Sequence, residues 1–227
     1  MRYQDNNNKM KRKTFIFDLD GVIVDTAKYH FLAWQRLASQ LGIDFTPEHN
    51  EELKGVSRVR SLDIILALGN IEASQEDKNK WLIQKNEEYL SYIAEINQSE
   101  ILPGIIPVLN YLKAHHQNIV LGSASKNARP ILAKTEIIHY FNAIVDGNDV
   151  TNAKPDPEVF LQGAKKMNAT PTDCIVFEDS VAGIQAANMA DMISIGIGAK
   201  EVLHEAHFVF QDFTYIDSTF LENLVKK

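Results

Sequence analysis

Thr14-Phe-Ile-Phe-Asp-Leu-Asp-Gly-Val-Ile-Val-Asp-Thr26 is the stretch whose reading decides the fold. Its apolar start, Phe15 to Phe17, has the β-propensity of a buried strand. Asp18 and Asp20 follow, and Gly21 then permits a sharp turn. Residues two apart on an extended chain point the same way, so both carboxylates can address one site. The carboxyl edge of an α/β sheet is where ligand chemistry tends to sit. Paired carboxylates there offer a nucleophile, a general acid/base, or ligands for a hard cation such as Mg²⁺. Taken alone, Asp-x-Asp-Gly is equally a solvated turn after a strand.

The rest of the chain sets the frame. Its 227 residues suffice for one sizeable core and a second small one. No apolar run is long enough to span a bilayer, so no membrane partner is expected. A net charge of −7 argues against a general nucleic-acid binder. The single cysteine, Cys174, excludes an internal disulfide and is compatible with a reducing compartment, hence an expected cytoplasmic location. It sits in an apolar strand and reads as a packed small hydrophobe. Residues 1–12 are polar, Asn-rich and then basic, a flexible leader with no segment like a signal peptide. Lys11-Arg-Lys13 reads as a solvated flank of the first strand.

After the strand, Ala27 to Leu41 carries apolar residues at helical spacing and Gly42 stops it. Thr46-Pro47 opens a helix to Leu53, followed by a short basic loop, Lys54-Gly-Val-Ser-Arg58. Helices are expected over Val59 to Leu68 and from Ser74, a plausible N-cap, to Ile96. Residues 27–99 therefore read as a helical insert without a strand. From residue 100 the rhythm changes. A helix reaches His115, strands are expected at Asn118 to Gly122, Ala143 to Asp146, Cys174 to Phe177 and Met192 to Ile195, and helices lie between them. Alternating strands and helices predict a doubly wound parallel α/β sheet, with its core in 13–26 and 100–227.

Chemistry-bearing residues recur at the strand ends. Ser123 and Ser125 stand where a strand meets a helix N-terminus, a place that binds phosphate readily, although helix capping would also account for them. Lys154, before Pro155, could neutralise charge on a transferring phosphoryl group. Glu178 and Asp179 end a fourth strand and, with Asp18, would form an oxygen-rich site suited to Mg²⁺. In a parallel sheet all four elements converge on one crevice, and phosphoryl transfer is the chemistry they suit together. Trp81 reads as packing, and His115-His116 as a helix end without a role.

Asp18-Leu-Asp-Gly21, Ser123, Lys154-Pro155 and Glu178-Asp179 stand in the order of the four motifs of the haloacid dehalogenase superfamily, which the chain resembles from Thr14 onward. The resemblance implies a Rossmann-like core with an inserted α-helical cap. It implies that Asp18 is a nucleophile forming an aspartyl-phosphate and Asp20 the general acid/base. Asp18, Asp20 through its backbone carbonyl, Glu178 and Asp179 would surround Mg²⁺. An Asp at position 20 favours a phosphatase or phosphomutase, since both departing and attacking oxygens need a proton shuttle.

The insert narrows the likeness to the superfamily's sugar phosphomutases, through Asp25-Thr-Ala-Lys-Tyr-His30, Trp34, Leu53-Lys-Gly-Val-Ser-Arg58, Lys85-Asn86 and Ser123-Ala-Ser-Lys-Asn127. It implies that Arg58 holds the substrate's non-transferring phosphate while Lys54, Gly55, Val56 and Ser57 line the sugar. His30 would hold Asp20 ready, Thr26 would sit at the hinge, and Lys85 would contact the sugar phosphate. Ala124, Ser125, Lys126 and Asn127 would contact substrate from the core side. Trp34 is either core packing or a sugar platform. The implied substrates are small sugar phosphates, with glucose 1,6-bisphosphate as intermediate and activator, and a monomer is expected. A mutase must hold a bisphosphate in two orientations, so it needs one phosphate site in the core and one in the cap. A sugar-phosphate phosphatase needs only the first, and a non-catalytic regulatory domain would have lost one of the motifs.

Overall fold

The computed structural model of the protein describes residues 12–226. The expected leader, apart from Arg12, lies outside the described residues. Six strands form one sheet: β1 (Thr14–Phe17), β2 (Asn118–Gly122), β3 (Ala143–Val145), β4 (Cys174–Glu178), β5 (Ile193–Ile197) and β6 (Phe208–Phe210). All pairings are parallel, and the order is β3-β2-β1-β4-β5-β6. The chain builds outward from β1 to one side and then returns to build the other. That reversal opens a crevice beyond the carboxyl ends of β1, β2 and β4.

β1 shows why the strand sits centrally. Phe15 and Phe17 face one layer of the core and Ile16 the other, and all three are fully buried. Strands buried on both faces read as continuous apolar runs. Phe17 stacks on Phe177 of β4 with centroids 4.7 Å apart. Each such side chain contributes about 1.5–3 kcal/mol by leaving water. Helices α5 (Ile105–Ala114), α6 (Ala128–Lys134) and α9 (Ser218–Lys226) supply the first layer. Helices α7 (Glu158–Lys166) and α8 (Val181–Met189) supply the second.

Between β1 and α5 the chain contains only helices: α1 (Ala27–Gln40), α2 (Pro47–Glu51), α3 (Arg58–Leu68), α4 (Gln75–Ile93) and one short 3₁₀ turn. They enclose their own apolar cluster around Trp34, Leu37, Phe45, Leu62 and Ile65. The two connections to the sheet run side by side, with Val24 bridged to Ile101 and Asp25 N–H donating to the Glu100 carbonyl at 2.8 Å.

Several expectations change: α4 ends at Ile93, three residues short of Ile96, and β5 runs on past Ile195 to Ile197. Helix α2 stops at Glu51, two residues early, because the chain turns into Gly55, whose φ is +74°. The last strand and helix, β6 and α9, follow where no element was expected; β6 is only three residues long and carries no alternation to read. Lys13 is buried rather than a solvated flank. Its ammonium pairs with Asp173 at 2.9 Å, and its N–H donates to Gln117 Oε1. Cys174 lies in β4 with its thiol pushed up to about 12 by burial, as an inert packed side chain should be.

Candidate active site

Each strand end delivers a group to the crevice. Asp18 continues β1, its N–H donating to the Phe177 carbonyl at 3.0 Å, and Ser123 continues β2 by donating to Val145. Lys154 arrives from the segment after β3, across a cis peptide to Pro155. Glu178 closes β4. Lys154 Nζ lies 2.5 Å from both Asp18 Oδ1 and Glu178 Oε1, wholly buried. Burial disfavours its ammonium, yet the two carboxylates outweigh that and raise its pKa. Burial lifts the Asp18 carboxyl to about 7 against the pull of Lys154, with Glu178 and Asp20 adding to the rise.

Glu178 spends its other oxygen on the N–H and hydroxyl of Ser180, each at 2.8 Å. Ser180, not Asp179, caps α8, accepting from Gly183 N–H at 3.1 Å. Asp179 is left to the crevice, and burial, then Glu178 and Asp18, hold its carboxyl well above the ordinary range. Among the described residues no three acidic, histidine or cysteine side chains already close on one metal position. Of the expected ligands, Glu178 is engaged on both oxygens. The chemistry of the remainder fits a hard dication: Asp18 and Asp179 are buried oxygen donors, and the ammonium Asp18 meets, that of Lys154, is shared with Glu178. Gly21, at φ +80°, leaves them room, since a Cβ there would stand 2.2 Å from Asp179 Oδ2.

Gly183 has a similar place in α8, where a Cβ would fall 2.0 Å from the Glu178 carboxyl carbon. Glycine to alanine within a helix ordinarily stabilises by up to ~1 kcal/mol. Gly183→Ala should do the reverse, lowering the melting temperature and activity together by displacing Glu178. A melting temperature at or above that of the wild type would contradict this packing.

The helical insertion closes the crevice from above. Gly55 rests on the core, with a Cβ there placed 2.4 Å from Ser180 Oγ. Asn127 Nδ2 reaches Asn86 Oδ1 on α4 at 3.3 Å. Between the two parts lies a cavity of about 550 Å³. From the core it is lined by Asp18, Asp20, Ser123, Ala124, Ser125, Lys126, Lys154 and Asp179. From the insertion come His30, Trp34, Lys54, Gly55, Val56, Ser57, Arg58 and Lys85. Thr26 and Asn127 do not line it. Thr26 is fully buried and its hydroxyl donates to Asp20 Oδ1; Asn127 bridges core to insertion.

Lys85 is 2% exposed and donates to His30 Nδ1 at 2.7 Å, which leaves the Nε2–H of His30 toward Asp20 Oδ2, 3.8 Å away. Burial and then Arg58 bring Lys85 down to about 7, while burial, Lys85 and Arg58 hold His30 far below its usual range, neutral. Burial raises the Asp20 carboxyl, and the Thr26 hydroxyl opposes it. Lys85 also lies over the rings of Trp34, at 4.7 Å, and Tyr89. Trp34 is thus both core packing and a cavity wall. Tyr89, stacked on His30 at 4.0 Å, was missed by the sequence reading, although its place four residues after Lys85 puts both on one face of α4. Asn50, Ser61 and residues 150–153 also line the cavity and were missed, having no motif to mark them. Arg58 is the most telling group: burial lowers its pKa, and among the described residues no carboxylate pairs with it.

A parallel sheet in this order, with an acid pair, a buried lysine and a covered cavity, defines a class. The chain belongs to the haloacid dehalogenase-like hydrolase family, whose sequence model matches residues 12–191. It is 42% identical over 199 residues to the β-phosphoglucomutase of Bacillus subtilis, covering 87% of this chain and 88% of that one. The solved structure of β-phosphoglucomutase from Clostridium difficile superposes with a TM-score of 0.90 at 44% identity, over 94% of this chain and 97% of the other. The fructose-1-phosphate phosphatase of Escherichia coli is 32% identical over 182 residues, 80% of this chain and 94% of that protein. Among the described residues no helix is long and apolar enough to cross a membrane.

Proposed function

We propose that the protein is a β-phosphoglucomutase, interconverting β-D-glucose 1-phosphate and glucose 6-phosphate through β-glucose 1,6-bisphosphate. The observation that carries this reading is Arg58, an arginine with no carboxylate partner among the described residues, lining one cavity with the core's phosphoryl-transfer groups. Its planar fork suits a phosphate that is not being transferred. The division into a core of 13–26 and 100–227 and a cap of 27–99 is part of the proposal.

In this reading Asp18 carries the phosphoryl group. Phosphorylated Asp18 loses it to the C6 hydroxyl of β-glucose 1-phosphate, and Asp20 takes the hydroxyl proton. The bisphosphate turns over, so that its C6 phosphate meets Arg58 and its C1 phosphate meets Asp18. A carboxylate oxygen of Asp18 then bonds to that phosphorus as the bond to O1 breaks. Asp20 returns the proton to O1, and glucose 6-phosphate leaves. Lys154 holds Asp18 and meets charge on the transferring group; Ser123 supplies its hydroxyl to the same group. Lys85, neutral His30 and Thr26 hold Asp20 in place. Lys54 and residues 55–57 line the sugar from above, and residues 124–127 hold it from below. Asp18, Asp179, the Asp20 carbonyl and Glu178 would hold Mg²⁺, after Glu178 gives up one of its present contacts. When bound, Mg²⁺ neutralises charge on the phosphoryl oxygens. A cytoplasmic monomer acting on sugar phosphates completes the proposal.

The test supplies β-glucose 1-phosphate, Mg²⁺ and a trace of glucose 1,6-bisphosphate, with the α-anomer in parallel. Glucose 6-phosphate from the β-anomer alone, with little free phosphate, is the expected result. Free phosphate in proportion to substrate consumed would replace the mutase with a sugar-phosphate phosphatase, the activity named for the E. coli relative.

A further inference from the structure

Helix α1 begins unlike its neighbours. In the insertion, α2, α3 and α4 are each capped by a hydroxyl: Thr46, Ser57 and Ser74 accept from the backbone N–H three residues on. Thr26 stands at the same position of α1, but its hydroxyl makes no cap; it donates to Asp20 Oδ1. The first turn of α1 also holds no acidic residue, and Lys28 places a positive charge at the end of the helix dipole that disfavours it. Left so, this helix start would fray, and Thr26 would move with it.

Glu100 supplies what is missing. It lies on the return connection and grips the residues around Thr26 from three directions. Its backbone carbonyl accepts from Asp25 N–H at 2.8 Å. Its Oε1 accepts from the Tyr29 hydroxyl at 2.8 Å, and its Oε2 lies 2.8 Å from Lys28 Nζ, with the Glu100 side chain 13% exposed. Lys28 also reaches Asp25 Oδ2 at 3.0 Å, closing the ring. Glu100 thereby turns an unfavourable lysine into an anchor and pins the first turn of α1, at whose start Thr26 stands.

We propose that Glu100 is a positioning residue for the proton shuttle, acting on Asp20 through Thr26. This rests on the reading of Asp20 as the general acid/base. Without the Glu100 side chain, the first turn of α1 loses its anchor, Thr26 shifts with that turn, and Asp20 loses a hydrogen bond that holds its carboxylate toward the leaving oxygen.

The experiment is a double-mutant cycle on kcat, with Glu100→Ala, Thr26→Ala and the pair, using β-glucose 1-phosphate and a trace of bisphosphate. Glu100→Ala is expected to lower kcat roughly tenfold with KM within about twofold, part of the effect of general acid/base catalysis. Thr26→Ala should do much the same, and the pair should be no worse than Thr26→Ala alone. Losses that multiply, to roughly a hundredfold in the pair, would overturn the proposal, because independent sites add in free energy. So would a Glu100→Ala enzyme with unchanged kcat and only a lower melting temperature. Should Glu100→Ala not fold, Glu100→Gln with Thr26→Ala gives the same cycle, since glutamine keeps an acceptor for Tyr29 and loses the charge that holds Lys28. A wild type that makes no glucose 6-phosphate counts against the mutase alone; the cycle is then read on aryl phosphate hydrolysis, which uses the same Asp20.

Discussion

Asp18→Asn is expected to lower turnover by roughly 10⁴-fold or more, the scale seen when a covalent nucleophile is removed. An amide has no carboxylate oxygen to bond to phosphorus, and no neighbour can replace it. Asp20 is held by Thr26, and Glu178 by Lys154 and Ser180. The fold should survive. Asp18 stands among Glu178, Asp20 and Asp179, and its carboxyl is already raised to about 7, so a neutral isostere relieves repulsion. What it loses is half of the Lys154 pairing, and Glu178 remains 2.5 Å from that ammonium. A melting temperature within a few degrees of the wild type, with no phosphate incorporated from bisphosphate, is the expected pair of results. Turnover above a hundredth of the wild type would remove Asp18 from its assigned role.

Arg58→Ala separates the two reactions that the core can perform. Two charge-assisted contacts to a phosphate, at about 1.5–3 kcal/mol each, put the expected loss of kcat/KM for β-glucose 1-phosphate at roughly 10²- to 10³-fold. Hydrolysis of an aryl phosphate uses only the core, so it should stay within about threefold of the wild type. Arg58→Lys should fall between, because a point charge does not reproduce the fork. Stability should hold or rise slightly. Arg58 is the first residue of α3, where a cation opposes the helix dipole, while Ser57 keeps its cap on Arg60 N–H. Equal losses on both substrates would mean that Arg58 supports the insertion rather than a second phosphate.

Much of this architecture was legible in the chain. The run Phe15 to Phe17, the glycine at 21 and the strands ending in Ser123 and Glu178 are local signals, readable because strand burial and turn conformation depend on adjacent residues. Many of the cavity-lining residues found in advance lie within short runs, 54–58 and 123–126. The residues that were missed have partners far along the chain. Tyr89 matters through His30, 59 positions earlier in number, and Glu100 through Lys28 and Tyr29 on the other connection. Lys13 was misread for the same reason: its partner, Asp173, is 160 residues away.

By itself the sequence determined which side chains can carry phosphoryl chemistry and which alternation of strands and helices would present them. Residue type and short-range spacing suffice for that. Only the tertiary structure decided which atoms meet. Placing β1 between β2 and β4 brings Lys154 onto both Asp18 and Glu178, and the closed insertion sets Arg58 across the cavity from them. Such pairings join groups that are far apart along the chain. They form because burial in one shared crevice leaves each charge and hydroxyl few partners other than the ones the packing brings within reach.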